Sequence, residues 1–191
     1  MTQMQSLSSH QASGEFSPDE RASLLRLAHD SVLSSLENRP LSLDPPNPHF
    51  AEPRGVFTSL YLRGDLRGCV GVVLPINPVY RAVAETARAA AFEDTRFTPV
   101  TREEAPHLQI ELSILSPPKA IASEEIEIGR HGLLITMLGR RGLLLPQVPV
   151  ERTWDRATFL EQTCRKAGLP SDAWQKGAKI EAFTAEVFGE K

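Results

Sequence analysis

Between residues 24 and 36 the apolar residues repeat at the spacing of an amphipathic helix. Ser17 lies ahead of this repeat. Pro18 directly follows Ser17, and Glu20 lies three positions after Ser17. This arrangement is typical of a helix start with a capping box and a first-turn proline. The pattern predicts a helix that ends near Asn38.

Two further segments show a helical period. The first starts at Asn77-Pro78 and has a narrow face of small residues up to residue 91, which can pack closely on a sheet. The second starts near Thr153 and ends at Gly168-Leu169-Pro170. These residues are typical of a helix end, with a C′ glycine, an apolar residue and a proline that stops the helix. Cys164 lies at helical spacing in this segment, which favours a buried packing role.

The strand signals lie between and after these helices. Residues 55–62 and 66–74 are rich in β-formers and flank Arg63-Gly64-Asp65, which predicts a hairpin. Residues 108–115 alternate apolar and polar side chains as a half-buried strand does. Shorter strands are predicted at 133–138 and 143–145, joined by a turn at 139–142, with a final strand at 179–188. The predicted elements thus include both helices and strands.

Composition places the chain among globular proteins. Its 191 residues suffice for one sizeable domain, and no apolar run approaches the ~18 residues that span a bilayer. Residues 1–14 are expected to be a disordered tail that lacks the features of a signal peptide, so a cytoplasmic location is the default. A net charge of −3 argues against nucleic-acid binding, and Arg140-Arg141 is assigned to the turn.

The strongest chemical signal is Leu66-Arg67-Gly68-Cys69-Val70-Gly71, where two glycines flank a thiol inside a predicted strand. Glycine is unfavourable there, so something is expected to approach the backbone closely. On a regular strand Arg67 would point to the same face as Cys69 and could stabilise a thiolate. The alternative is that Cys69 is a buried residue packed under the small-residue helix.

Two other residues are candidates for proton transfer. Glu111 would lie near Cys69 if the polar side of its strand faced the hairpin, and would otherwise be a solvated strand residue. His131 lies between glycines at the start of a strand, although a turn histidine is the commoner case. Phosphate-binding loops, dinucleotide fingerprints, zinc-protease motifs and serine-hydrolase elbows are absent. The spacing of histidine and cysteine argues against a structural zinc site and leaves open only three distant ligands that converge in space.

The Leu66 to Gly71 segment resembles the L-R-G-C-[IV]-G signature of the AMMECR family, known as AmmeMemoRadiSam system protein A in bacteria and archaea. The similarity covers about residues 16–188. It continues in six more segments: Gly55-Val56-Phe57-Thr58, Asp94-Thr95-Arg96-Phe97, Glu111-Leu112-Ser113-Ile114-Leu115-Ser116, Gly129-Arg130-His131-Gly132-Leu133, Leu144-Leu145-Pro146-Gln147-Val148, and Lys166-Ala167-Gly168-Leu169 followed by Trp174.

This resemblance implies an α+β domain at residues 15–191, in which helices pack on a mixed or antiparallel sheet. It also implies a larger and a smaller subdomain, with the signature lining a cleft between them. It also implies partners, since the family is often encoded beside or fused to a Memo-like protein and a radical S-adenosylmethionine enzyme. It leaves the cofactor open. The suspicion of enzymatic activity carries over to Cys69, Arg67, Gly68 and Gly71, with His131 and Glu111 as additional candidates.

Two hypotheses follow. In the first, the protein is an enzyme or the catalytic subunit of a modifying system, in which Cys69 is the nucleophile or an acyl or thiol carrier. Arg67 stabilises the thiolate or binds an anionic substrate, and His131 or Glu111 moves protons. In the second, it is a non-catalytic binding module whose glycines, Gly68 and Gly71, let a partner or peptide approach the backbone.

Overall fold

The computed structural model describes residues 14–44 and 48–190. The predicted tail therefore lies outside the described residues except for Gly14. The described chain forms α1 (Pro18–Glu37), α2 (Val79–Phe92), α3 (Gln147–Glu151) and α4 (Arg156–Lys166), with strands β1 (Val56–Leu62), β2 (Asp65–Val72), β3 (Leu108–Leu115), β4 (Lys119–Ala120), β5 (Gly132–Met137), β6 (Arg140–Leu144), β7 (Lys179–Phe183) and β8 (Ala185–Gly189). This confirms the α+β class.

The first sheet has the strand order β2-β1-β3-β8, with every neighbouring pair antiparallel. Helix α2 packs against β1 and β2, and α1 packs against α2 and β3. The alternation predicted for β3 is confirmed, since Leu108, Ile110, Leu112 and Ile114 are buried in the core under these helices. The other face of this sheet carries the alternate residues of each strand, among them Ser59, Cys69 and Glu111.

The predicted start of α1 is confirmed in its contacts. The Ser17 hydroxyl accepts a hydrogen bond from the Glu20 N–H (3.3 Å), and the Glu20 carboxylate accepts one from the Ser17 N–H (2.8 Å). The helix ends at Asn38, which adopts the left-handed conformation at φ 53°.

The second sheet has the order β4-β7-β5-β6 and its own hydrophobic core, to which α4 contributes Phe159, Leu160 and Cys164. All of its elements lie between residues 119 and 183, so the smaller unit is inserted between β3 and β8 of the larger one. The predicted end of α4 is confirmed. The N–H of Leu169 donates to the Cys164 carbonyl and that of Gly168 to the Arg165 carbonyl, which is the Schellman pattern.

Two sequence predictions were wrong. Residues 179–188 form two strands in different sheets, separated at Thr184, whose N–H and carbonyl are both bonded to Ser116 (2.9 Å each). The turn predicted at 139–142 is the pair Leu138-Gly139, with φ of 50° and 75°, and Arg140 already begins β6. A tight hairpin needs two residues with positive φ, and the predicted turn lies too late in the chain to include Leu138.

Within the described part of the chain, no helix combines the length and apolar character that crossing a bilayer requires.

Candidate functional site

A β-bulge in the hairpin decides which way Cys69 faces. The hairpin closes through Arg63-Gly64, and its register shifts between Leu60, which pairs with Gly68, and Tyr61, which pairs with Leu66. Arg67 is the extra residue of this irregularity. Beyond it, Gly68 faces α2 and Cys69 faces the opposite, open side of the sheet. Bulges commonly re-aim a side chain in this way.

Cys69 therefore starts a polar row that crosses three strands. It lies opposite Ser59 on β1, and Ser59 lies opposite Glu111 on β3. The Ser59 hydroxyl donates to the Cys69 Sγ at 3.4 Å. Neighbouring strands are about 4.8 Å apart, so the backbones of Cys69 and Glu111 are roughly 10 Å from each other, with Ser59 between them.

Tyr61 belongs to the same face. Burial is the main cause that raises the pKa of its phenol, and the negative charge of Glu111 raises it further, while a hydrogen bond with Ser59 lowers it. The Cys69 side chain contributes a smaller increase to this pKa. Cys69, Ser59, Tyr61 and Glu111 thus form one interacting set.

The free edge of β2 is closed by a pair of charged side chains at Cys69. The Cys69 N–H donates to Asp94 Oδ2 (2.8 Å), and Arg96 Nη2 donates to the Cys69 carbonyl (3.2 Å). Arg96 also holds Asp94 through Nε (2.9 Å) and Nη2 (2.7 Å). These two side chains replace the missing neighbouring strand, and we call them the edge clamp.

The edge clamp also sets the local electrostatics. Asp94 accepts hydrogen bonds from Arg96 and from the Cys69 N–H, and these hold the pKa of its carboxyl well below the usual range. They do so although the Asp94 side chain is only 6% exposed. The pKa of Arg96 is raised chiefly by Asp94, and the Cys69 side chain adds to this rise. The cation bonded to Cys69 is therefore Arg96, which donates to the carbonyl of that residue.

Arg67 is engaged elsewhere, so the structure does not support its predicted place beside the thiol. Its guanidinium donates to Glu104 through Nε and Nη2, at 3.0 Å each, and to the carbonyls of Thr98 (2.7 Å) and Pro99 (3.3 Å). The prediction assumed a regular strand, and the bulge removes that condition. Arg67 instead anchors the chain that follows α2.

The two glycines of the signature are approached closely by the protein itself. A Cβ at Gly68 would lie 2.1 Å from the Ala90 carbonyl oxygen of α2, on the core face. A Cβ at Gly71 would lie 2.1 Å from the Phe57 ring, which covers this glycine on the open face. Close approach was correctly predicted, and internal packing accounts for it at both positions without a ligand.

The open face of the first sheet is the floor of a cleft of about 640 Å³, which we call the Cys69 cleft. Phe57, Ser59, Cys69, Glu111 and Ser113 lie on the floor. The smaller unit supplies the facing wall through residues 129–130, 145–147 and 150–151. Cys69 is partly exposed in this position, whereas Cys164 is buried.

His131 does not line the Cys69 cleft. Its Nδ1 accepts a hydrogen bond from the Glu127 N–H at 3.0 Å, which closes the turn before β5. The ring lines a separate cavity of about 540 Å³ on the other side of Gly129 and Arg130. The structure thus brings together Cys69 and Glu111 but places His131 apart from them.

Sequence reasoning missed Ser59, Tyr61, Asp94 and Arg96. The first two could have been found only from the register of the hairpin, which depends on the bulge. Asp94 and Arg96 lie in a segment that carries the family resemblance, but the sequence contains no local sign that they return to the edge of β2.

Among the described residues, one group could bring three metal-ligand atoms together: Glu15, His49 and Glu52, within 4.8 Å of one another. Arg54 already pairs with the carboxylates of Glu15 and Glu52, so its guanidinium supplies the positive charge that a metal ion would supply there. His49 is also bonded to Glu20 at 2.9 Å.

The AMMECR1 family model matches residues 25–188. This chain belongs to the AMMECR1 family. Its relatives in the family include protein MK0488 of Methanopyrus kandleri, 43% identical over 185 residues, covering 91% of this chain and 89% of that protein. Protein MJ0810 of Methanocaldococcus jannaschii is 48% identical over 151 residues, with 74% and 75% covered. The crystal structure of the uncharacterized protein PH0010 from Pyrococcus horikoshii superposes with a TM-score of 0.69 at 39% identity, covering 88% of this chain and 90% of that one.

The family's fold gives its sequence segments a common location in this chain. Cys69, Glu111, Gly129 and Pro146 come from four of the segments that carry the AMMECR resemblance, and all four line the Cys69 cleft. Asp94 and Arg96 come from a fifth segment and hold the backbone of Cys69. Residues far apart in the chain thus meet at one place.

Proposed function

We propose that this AMMECR1-family protein is a thiol-dependent enzyme, or the catalytic subunit of a modifying system, with Cys69 as its nucleophile. One observation carries the proposal: the bulge turns Cys69 onto the floor of a cleft, where Ser59 donates to its sulfur at 3.4 Å. Arg96 lies beside the same residue. Reactive cysteines are found in electropositive, partly exposed places of this kind.

In this role the Cys69 thiolate attacks an electrophilic carbon of the substrate, such as an acyl carbon. A carbon–sulfur bond forms as the bond to the leaving group breaks, and the proton released by the thiol is returned to that group. Ser59 and Glu111 on the floor of the cleft, with Tyr61 beside them, carry the proton. Transfer of the acyl group to water or another nucleophile then releases the thiol.

The first test is the rate at which iodoacetamide alkylates Cys69 in the native protein, followed by peptide mass spectrometry. We expect fast alkylation that slows in Arg96→Gln, because the thiolate loses its neighbouring cation, and that recovers in Arg96→Lys. Arg88→Gln is the matched control, since Arg88 is an exposed arginine of α2 paired with Glu93. An unreactive Cys69, or equal rates in all variants, would count against a nucleophilic role.

A second candidate function is a binding module that acts with a Memo-like protein and a radical S-adenosylmethionine enzyme, as the family resemblance implies. It is favoured by two apolar side chains in the Cys69 cleft, Val150 of α3 and Val187 of β8, each 57% exposed. A Val187→Asp substitution is then expected to abolish capture of such a partner while Cys69 alkylation stays unchanged. Full partner capture by this variant would argue against the module.

The cytoplasmic location remains part of the proposal. Both cysteines are free thiols, which is the usual state in a reducing compartment.

A further inference from the structure

A second cavity, of about 540 Å³, lies where the chain passes between the two sheets. Its lining includes Ser116 and Thr184, the bonded pair at the two crossings, together with Arg54, Lys119, Arg130 and His131. None of the floor residues of the Cys69 cleft lines it. We call it the Arg54 cavity, and the nucleophilic role of Cys69 does not involve it.

Arg54 is buried in the wall of this cavity with part of its hydrogen-bonding capacity unused. Its side chain is 4% exposed, and its Nη2 donates to Glu15 and to Glu52 (2.7 Å). Among the described residues, its Nε and Nη1 are buried without any hydrogen-bond partner. Buried polar groups almost always have a partner, so donors left free on a buried cation indicate a missing acceptor.

The remaining lining residues favour an acceptor that is negatively charged. Lys119 and Arg130 are exposed cations at this cavity, and Glu15 is the only carboxylate among the described residues that line it. The carboxylates of Glu15 and Glu52 engage only Nη2 of Arg54, so Nε and Nη1 are left without an acceptor.

Two neutral donors complete the set. Nδ1 of His131 accepts from the Glu127 N–H, so in the neutral ring the proton is on Nε2, which can donate. The Ser116 Oγ accepts from the Thr184 N–H at 2.9 Å, and its own O–H remains available as a donor.

We propose that the Arg54 cavity binds the carboxylate or phosphate group of a small anionic ligand, with Arg54 as the buried charge that anchors it. Lys119 and Arg130 attract the anion, and Ser116 and His131 donate to its remaining oxygens. The volume is that of a small-molecule pocket rather than a single-ion site, so the ligand is larger than its anionic group.

The proposal is tested by titrating the full chain with sodium phosphate and, separately, with sodium acetate, at constant ionic strength set with chloride. Binding is measured by calorimetry and by the rise in unfolding temperature that a ligand specific for the folded state produces. We expect saturable binding of at least one probe. Phosphate alone would assign a phosphoryl ligand, and acetate alone a carboxylate.

Charge-removing variants locate the site. Lys119→Gln and Arg130→Gln are each expected to weaken binding about fivefold, as for loss of one partly exposed charged contact. Arg141→Gln is the matched control, because Arg141 is an exposed arginine of β6 that does not line this cavity. Arg54→Gln is expected to abolish binding; if it does not fold, the two exposed variants decide. Absence of saturable binding by both probes, or equal weakening in Arg141→Gln, would overturn the proposal.

Discussion

Replacing Gly68 with alanine is expected to destabilise the fold, because the new methyl group has no space. The Cβ would lie 2.1 Å from the Ala90 carbonyl oxygen, where real Cβ contacts essentially never fall below 3.0 Å. Helix α2 or strand β2 must therefore move by about 0.9 Å, the difference between these two distances. Both are backbone elements, so no side-chain rotation can relieve the contact.

The size of the effect follows from two opposing contributions. Overpacking a well-filled core costs about 1–3 kcal/mol, and we expect a clash with backbone to cost about 3 kcal/mol. Alanine offsets about 0.5–1 kcal/mol of this, because it restricts the unfolded chain more than glycine does. The net loss of about 2 kcal/mol in the free energy of unfolding should lower the melting temperature by about 4–8 °C.

Thermal and urea unfolding followed by circular dichroism measure this loss. Cys69→Ala is the matched control, since Cys69 is the next residue of the same strand and faces the open cleft. It loses the hydrogen bond from Ser59 and weaker interactions with Tyr61 and Arg96, and the hydrogen bond should be worth about 0.5–1 kcal/mol. If Gly68→Ala were as stable as the parent protein, the packing explanation would fail and a ligand at this glycine would again be needed.

Three further outcomes are expected. The edge clamp requires ionised Asp94, whose pKa is lower in the folded protein than the ordinary 3.8. The contribution of the clamp to stability is therefore complete above pH 3.8 and is lost as the pH falls below that value. Asp94→Asn should therefore be less stable at neutral pH and lose less on acidification; an unchanged pH profile of unfolding would refute this. Burial raises the pKa of Cys164, so native protein treated with iodoacetamide at neutral pH should be modified at Cys69 and spared at Cys164, as peptide mass spectrometry will show; modification of Cys164 before unfolding would contradict it. Ser17→Ala removes the cap of α1 and should lower the free energy of unfolding, measured by chemical denaturation, by about 1 kcal/mol. Ser17→Thr should keep most of that stability. Equal losses in both variants would exclude the cap as the cause.

Elements whose signals are local were predicted well. The capping box of α1, the C-terminal glycine of α4 and the alternation of β3 each depend on residues within a few positions of one another. Their hydrogen bonds and burial follow from backbone preferences that every short segment carries. The α+β class was implied by the family resemblance.

Predictions that needed a partner from elsewhere in the chain were less reliable. Without the bulge, the hairpin closed by Arg63-Gly64 would pair Cys69 with Thr58, which is fully buried against α2 through Thr86. The thiol would then face the core, as the alternative interpretation held. One extra residue at Arg67 reverses this, because a shift of one residue exchanges the two faces of a strand.

The sequence by itself therefore determined the family, the fold class and the segment that contains the reactive candidate, since these are written in local periodicity and in the order of short motifs. Only the tertiary structure decided that Arg96 rather than Arg67 is the cation beside Cys69, that Glu111 joins it and that His131 does not. The physical reason is that strand pairing and sheet membership are settled by contacts between distant residues. No short window of sequence contains both partners of such a contact.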